Sequence, residues 1–145
     1  MTNESPKLCN GFLGMWPFRK MFGESRKVRT ASRLYGKAIR LDEAGKPYEA
    51  IVMVCRALQA VRESGADLIG SDALSLLMTA TTLFDELATK VGRPEIVLTA
   101  LREALELCDR VATDSELMRF VTPYRDRFYC RISSITAQQE MARQK

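Results

Sequence analysis

The chain contains no histidine, which removes the commonest general base, the usual partner of a nucleophilic serine or cysteine, and the commonest metal ligand. It has no glycine-rich phosphate loop either. Its four cysteines, Cys9, Cys55, Cys108 and Cys130, stand far apart without a CxxC pair, a spacing that gives zinc no purchase. Three of them fall inside helical apolar patterns and read as small buried hydrophobes in a reducing compartment rather than as a disulfide framework. The remaining chemistry-bearing groups are carboxylate pairs: Asp42 with Glu43, Asp85 with Glu86, and Glu103 with Glu106. Each lies in a segment of mixed charge and reads as a solvated helix face. No catalytic residue, cofactor or metal is expected, and the chain is read as non-enzymatic.

Long apolar runs are also missing. A membrane span needs about 18 or more consecutive apolar residues, and nothing here approaches that. The N-terminal apolar stretch is interrupted by Asn10, Gly11, Gly14 and Pro17 and preceded by Glu4, so it fails as a secretory signal. Cytoplasmic residence is the expectation. With only 8 Gly and 5 Pro in 145 residues, the elements should be long, and the length suits one domain.

From about Val28 onward, apolar residues recur at three- and four-residue steps, and no segment alternates as a half-buried strand would. The pattern predicts an all-α fold, an antiparallel array of about five helices. The first covers Lys27 to Ala44, with Leu34, Ala38 and Leu41 on one stripe, and stops at Gly45. The second opens at Pro47 and carries Ala50, Val54, Ala57 and Val61 to Glu63. Ser71 is a suitable N-cap for a third, running from Asp72 to about Val91 with Leu74, Leu77, Phe84 and Ala88. Gly92 closes it, and Pro94 with Glu95 opens a fourth carrying Val97, Leu101, Ala104, Cys108 and Val111. Thr113-Asp114-Ser115-Glu116 has the form of a capping box. It starts a last helix with Leu117, Val121, Tyr124, Phe128, Ile132 and Ile135 on one stripe, which Pro123 is expected to bend or divide. The chain then reads as three regions: a basic and aromatic arm over 1–26, a helical domain over 27–138, and a polar, fraying tail over 139–145.

Charge is unevenly spread. Residues 1–30 hold six basic residues against two acidic ones, while residues 31–145 hold sixteen of each. By this count the basicity lies in the arm, and the neutral body lacks the wide basic face of a nucleic-acid binding domain. Nucleic acid is not an expected partner.

Aligning Gly45 with Gly92 exposes an internal repeat. Gly45-Lys-Pro-Tyr-Glu-Ala50-Ile followed by Ala57-Leu58 matches Gly92-Arg-Pro-Glu-Ile-Val97-Leu followed by Ala104-Leu105. This order resembles the tetratricopeptide repeat, whose second helix carries it and whose first helix places a small residue seven before the turn. Ala38 is that residue in the first copy, with Leu41 the large one after it. In the second copy Asp85 stands where Ala38 stands, and Val97 replaces the alanine. The glycines lie 47 residues apart, against about 34 in a standard repeat. The resemblance covers roughly half the chain and implies two helix pairs covered by a C-terminal capping helix.

It also implies a small cytoplasmic interaction module, an adaptor or chaperone-like scaffold. Its groove would be lined by Ser32, Tyr35, Ile39 and Asp42 in the first pair and by Thr79, Thr82, Glu86 and Thr89 in the second. That surface is small, polar and slightly acidic. The Lys/Asn/Arg clamp of co-chaperone members is missing, so their carboxylate-terminated ligand is not carried over. Tyr35 and Ile39 fit a core role equally well.

The second candidate surface is the segment Phe12 to Phe22, which holds the only Trp of the chain. Phe12, Leu13, Trp16, Phe18, Met21 and Phe22 are its apolar anchors, interleaved with Arg19 and Lys20. Such an arm can dock on another protein, fold back as a cap, or lie on an anionic membrane surface as a peripheral tether. Gly14 and Pro17 preclude one long amphipathic helix through it.

Overall fold

A computed structural model describes residues 26–63, 72–111 and 115–144. All regular structure among these residues is helical, in five α-helices and one short 3-10 turn. The helices are α1 (Arg26–Glu43), α2 (Pro47–Glu63), α3 (Asp72–Lys90), α4 (Leu98–Arg110) and α5 (Ser115–Arg143), and the 3-10 turn is Pro94–Val97. The expected Ser71 cap and the first half of the capping box, Thr113 and Asp114, lie outside the described residues. The chain divides into two compact units, one up to Ala80 and one from Thr81 onward, with the division falling inside α3.

In the first unit α1 packs along α2. α1 buries Val28, Ala31 and Ala38, and α2 buries Ala50, Val54, Ala57, Leu58, Ala60 and Val61. Alanine dominates because short side chains let two helix axes approach closely. Leu34 and Leu41, expected on the buried stripe, are only half-buried; Val28 and Ala31 take that role with Ala38. The helices are joined by a left-handed Gly45 at φ +78. The Gly45 N–H donates to the Asp42 carbonyl at 3.0 Å and the Lys46 N–H to the Leu41 carbonyl at 2.9 Å, the paired bonds of a Schellman terminus.

Gly92, at φ +77, repeats this turn in the second unit. Its N–H reaches the Thr89 carbonyl at 3.0 Å and the Arg93 N–H reaches the Ala88 carbonyl at 2.9 Å. The helices that these two turns lead into start differently. α2 begins directly at Pro47, whereas Pro94 opens the 3-10 turn and the α-helix proper waits until Leu98. The tighter start is seen in the Ile96 N–H donating to the Arg93 carbonyl, three residues back, at 3.2 Å.

The second unit packs α4 against α5. α4 buries Leu98, Leu101, Ala104, Leu107 and Cys108, and α5 buries Leu117, Val121, Phe128 and Ile135. Pro123 sits inside α5 without dividing it. Its ring removes one backbone bond, but the buried residues on both sides of it hold the two halves in one helix. The segment after Gln138 is polar yet helical to Arg143, with Arg143 paired to Glu140 one turn back at 3.3 Å. Two cysteine expectations are corrected: Cys108 is buried, but Cys55 and Cys130 are exposed. Each occupies an outward position on its helix, beside Arg56 and Tyr129, which are exposed too.

Candidate functional site

The expected groove surfaces fall on α1 and α3. On α1, Tyr35, Ile39 and Asp42 are spaced four and three apart, so they share a face, and all three are half-buried. By helical spacing Tyr35 and Asp42 fall between Ala31 and Val28, and Ile39 falls just beside Val28, so all three share the packed side of α1 while staying partly exposed.

α3 is buried almost all round: every residue from Asp72 to Met78 is buried, as are Leu83, Phe84, Leu87 and Ala88. The exceptions are informative. Thr79 and Thr82 are half-buried, and Glu86 and Thr89 are exposed. The second expected groove face is therefore the one strip on which α3 reaches solvent. Thr79 lies in the first unit and turns its hydroxyl inward, donating to the carbonyls of Ser75 at 3.0 Å and Leu76 at 3.2 Å.

In the second unit the strip is not acidic, as its sequence suggested. Arg127 of α5 donates to Glu86 at 3.4 Å, and Arg131 donates to Thr89 at 3.2 Å. Arg131 also binds Asp85, through Nε to Oδ1 at 3.1 Å and to Oδ2 at 3.0 Å. Asp85 was expected on a solvated face but is buried; a carboxylate so placed needs a cation and hydrogen bonds in place of water. A third arginine of α5, Arg125, donates to Asp109 of α4 at 3.0 Å. All three carboxylates thus pair with arginines of α5, and of these pairs only that of Asp85 is largely withdrawn from water. Among the described residues no group of His, Cys, Asp and Glu is arranged to hold a metal ion.

Phe12, Leu13, Trp16, Phe18, Met21 and Phe22 lie outside the described residues. No described helix is long and apolar enough to cross a membrane.

One surface escaped the sequence reading. Arg26, Arg29, Arg33, Lys37 and Arg40 of α1 are all exposed, and at 3.6 residues per turn they fall within an arc of about 80° along roughly 21 Å of helix. The arc lies opposite buried Ala31 and Ala38. Among the described residues no carboxylate pairs with Arg26, Arg33, Lys37 or Arg40. An open hollow of about 510 Å³ lies against this face, lined by Thr30, Arg33, Leu34, Gly36, Lys37 and Arg40 among others. Basicity therefore does not end with the arm. Counting charge by segment split the row, because Arg26 and Arg29 were counted with residues 1–30 while Arg33, Lys37 and Arg40 are balanced by carboxylates elsewhere in residues 31–145; projecting residues 26–40 on a helical wheel joins them.

A smaller apolar strip lies on α2, where Tyr48 and Val52 are 66% and 48% exposed one turn apart, followed by exposed Cys55. Comparison with protein-family models, with curated proteins and with solved structures finds no match for this chain.

Proposed function

We propose that this chain is a small cytoplasmic protein-binding module, an adaptor or chaperone-like scaffold built on two tetratricopeptide-like hairpins. The observation that carries this reading is the Tyr35, Ile39 and Asp42 edge of α1. An aromatic ring, a branched aliphatic chain and a carboxylate stand in register on one helix face, each partly open to solvent. Such an edge offers an extended or helical segment apolar contact and one point of charge, the combination by which grooves of paired helices recognise peptides. The arm from Phe12 to Phe22 supplies a second set of anchors in sequence, with Trp16 the largest.

The test is site-specific photo-crosslinking in cells. A photoreactive residue at Ile39 is expected to trap one defined partner segment, identifiable by mass spectrometry, while the same probe at exposed Glu103 on α4 traps none in common. Tyr35→Ala should reduce the Ile39 product several-fold. Identical products from both probe sites, or an Ile39 product indifferent to Tyr35→Ala, would remove this surface from consideration. The same experiment with Trp16→Ala reports whether the arm contributes.

A further inference from the structure

We infer that the cationic row of α1 is a docking face for an anionic lipid bilayer, independent of the Tyr35 edge. The row is one-sided and straight: Arg26, Arg29, Arg33, Lys37 and Arg40 recur at steps of three and four, all exposed, while the opposite side of α1 is buried against α2. A planar sheet of negative headgroups is met by such a row along its whole length, because every cation projects to the same side. No acidic residue occurs between Arg26 and Leu41, so nothing on the row repels a negative surface.

One flank of the row distinguishes a bilayer from a polynucleotide. At helical spacing Leu34 and Leu41 lie on the same side of Lys37, and both remain partly exposed. Apolar side chains beside cations suit the headgroup boundary, where acyl chain and phosphate lie within one side-chain length. A duplex groove instead needs polar groups on both flanks to reach two phosphate strands and the base edges between them. An open hollow lined in part by Arg33, Lys37 and Arg40 lies against the same row.

The experiment is flotation of the full chain with phosphatidylcholine vesicles, with and without about 30 mol% phosphatidylserine. The wild type should float only with the anionic vesicles and be released by high salt, since exposed charges are screened over a few ångströms near 1 M. Arg33→Gln/Lys37→Gln/Arg40→Gln alters only exposed side chains. At roughly fivefold per cation, the triple variant should weaken binding about a hundredfold. Two controls fix the interpretation. Arg56→Gln/Arg102→Gln/Arg110→Gln removes the same charge from exposed positions on α2 and α4 and should float like the wild type. Arg33→Lys/Arg40→Lys keeps the charge of the row and should also float. Equal loss in both Gln triples would reduce the effect to net charge and overturn the inference. So would failure to float at any serine-lipid content, or loss on Trp16→Ala with the α1 triple unaffected. Tighter binding to a DNA duplex or single-stranded RNA than to anionic vesicles, abolished by the α1 triple, would assign the row to nucleic acid instead.

Discussion

Arg131 of α5 grips both oxygens of Asp85 on α3 through one nitrogen, Nε, at 3.1 and 3.0 Å. The carboxylate side chain is 3% exposed and the guanidinium 28%, so the two partners are unequal. Arg131→Ala would strand a buried carboxylate and should cost about 3 kcal/mol. Asp85→Ala leaves an arginine that still donates to Thr89 and reaches water, and should cost about 1 kcal/mol. The double variant Asp85→Ala/Arg131→Met, which exchanges the pair for apolar contact, should lie close to the wild type. Urea denaturation of the four proteins checks the order, and equal losses in the two single variants would contradict it.

Gly45 and Gly92 close their helices at φ +78 and +77, and a Cβ built on either meets nothing within 4 Å. The cost of replacing them is therefore conformational rather than steric. Gly45→Ala and Gly92→Ala should each lose about 1–2 kcal/mol, and asparagine at either position less. A similar loss at both sites is the expected result, since the turns share their pair of hydrogen bonds. A loss far larger at one of them would mean that its turn has tertiary contacts the other lacks.

The all-α architecture and both glycine turns were readable because they depend on local rules. Helical periodicity and the left-handed preference of glycine act within a few residues. Long-range roles were harder to read. Asp85 broke the repeat as a bare anomaly until Arg131, 46 positions later, supplied its reason. Cys55 and Cys130 were misplaced because cysteine's apolar character says buried while their positions on the helix turn them outward. Pro94 marked an element start correctly but not its type, because proline at a first turn suits the 3-10 and α forms alike. The basic row on α1 was locally encoded and still missed, since a segment tally of charge ignores which face each residue occupies. The groove residues Thr79, Thr82, Glu86 and Thr89 did fall on the solvent-reaching strip of α3, but the pairing of Glu86 and Thr89 with α5 depended on arginines that a two-pair repeat pattern does not contain.

Cys108 makes stability depend on alkaline pH. Burial, reinforced by the neighbouring Asp109 charge, pushes its thiol from an ordinary 9.0 up to about 11. Between those values the folded chain keeps the proton while the unfolded chain releases it, so unfolding gains as pH rises, and the loss is complete above the folded value. The contribution is about 2 kcal/mol between pH 9 and 11. Wild type and Cys108→Ala should therefore converge in stability as pH is raised from 8 to 10.5, measured as the difference in urea midpoint. A constant difference would sink the assignment. In a Cys9→Ser background, the exposed Cys55 and Cys130 should both react with an aromatic disulfide reagent in the folded state. Cys108 should react only on unfolding.

Pro123 is exposed within α5, where it lacks the N–H that would bond the Arg119 carbonyl and its ring presses on the preceding turn. The helix nevertheless runs on, with buried Leu117 and Val121 before the proline and buried Phe128 and Ile135 after it. The Thr122 hydroxyl donates to the Met118 carbonyl at 2.6 Å, occupying a carbonyl of the turn that the proline disturbs. Packing thus offsets an intrinsic cost of about 3 kcal/mol. Pro123→Ala restores the backbone bond without touching the buried stripe, and should raise stability by about 2 kcal/mol with little change in helix content. The measurement is urea denaturation followed by far-ultraviolet circular dichroism. A destabilised Pro123→Ala would mean that the proline sets a bend on which the α4 and α5 packing relies.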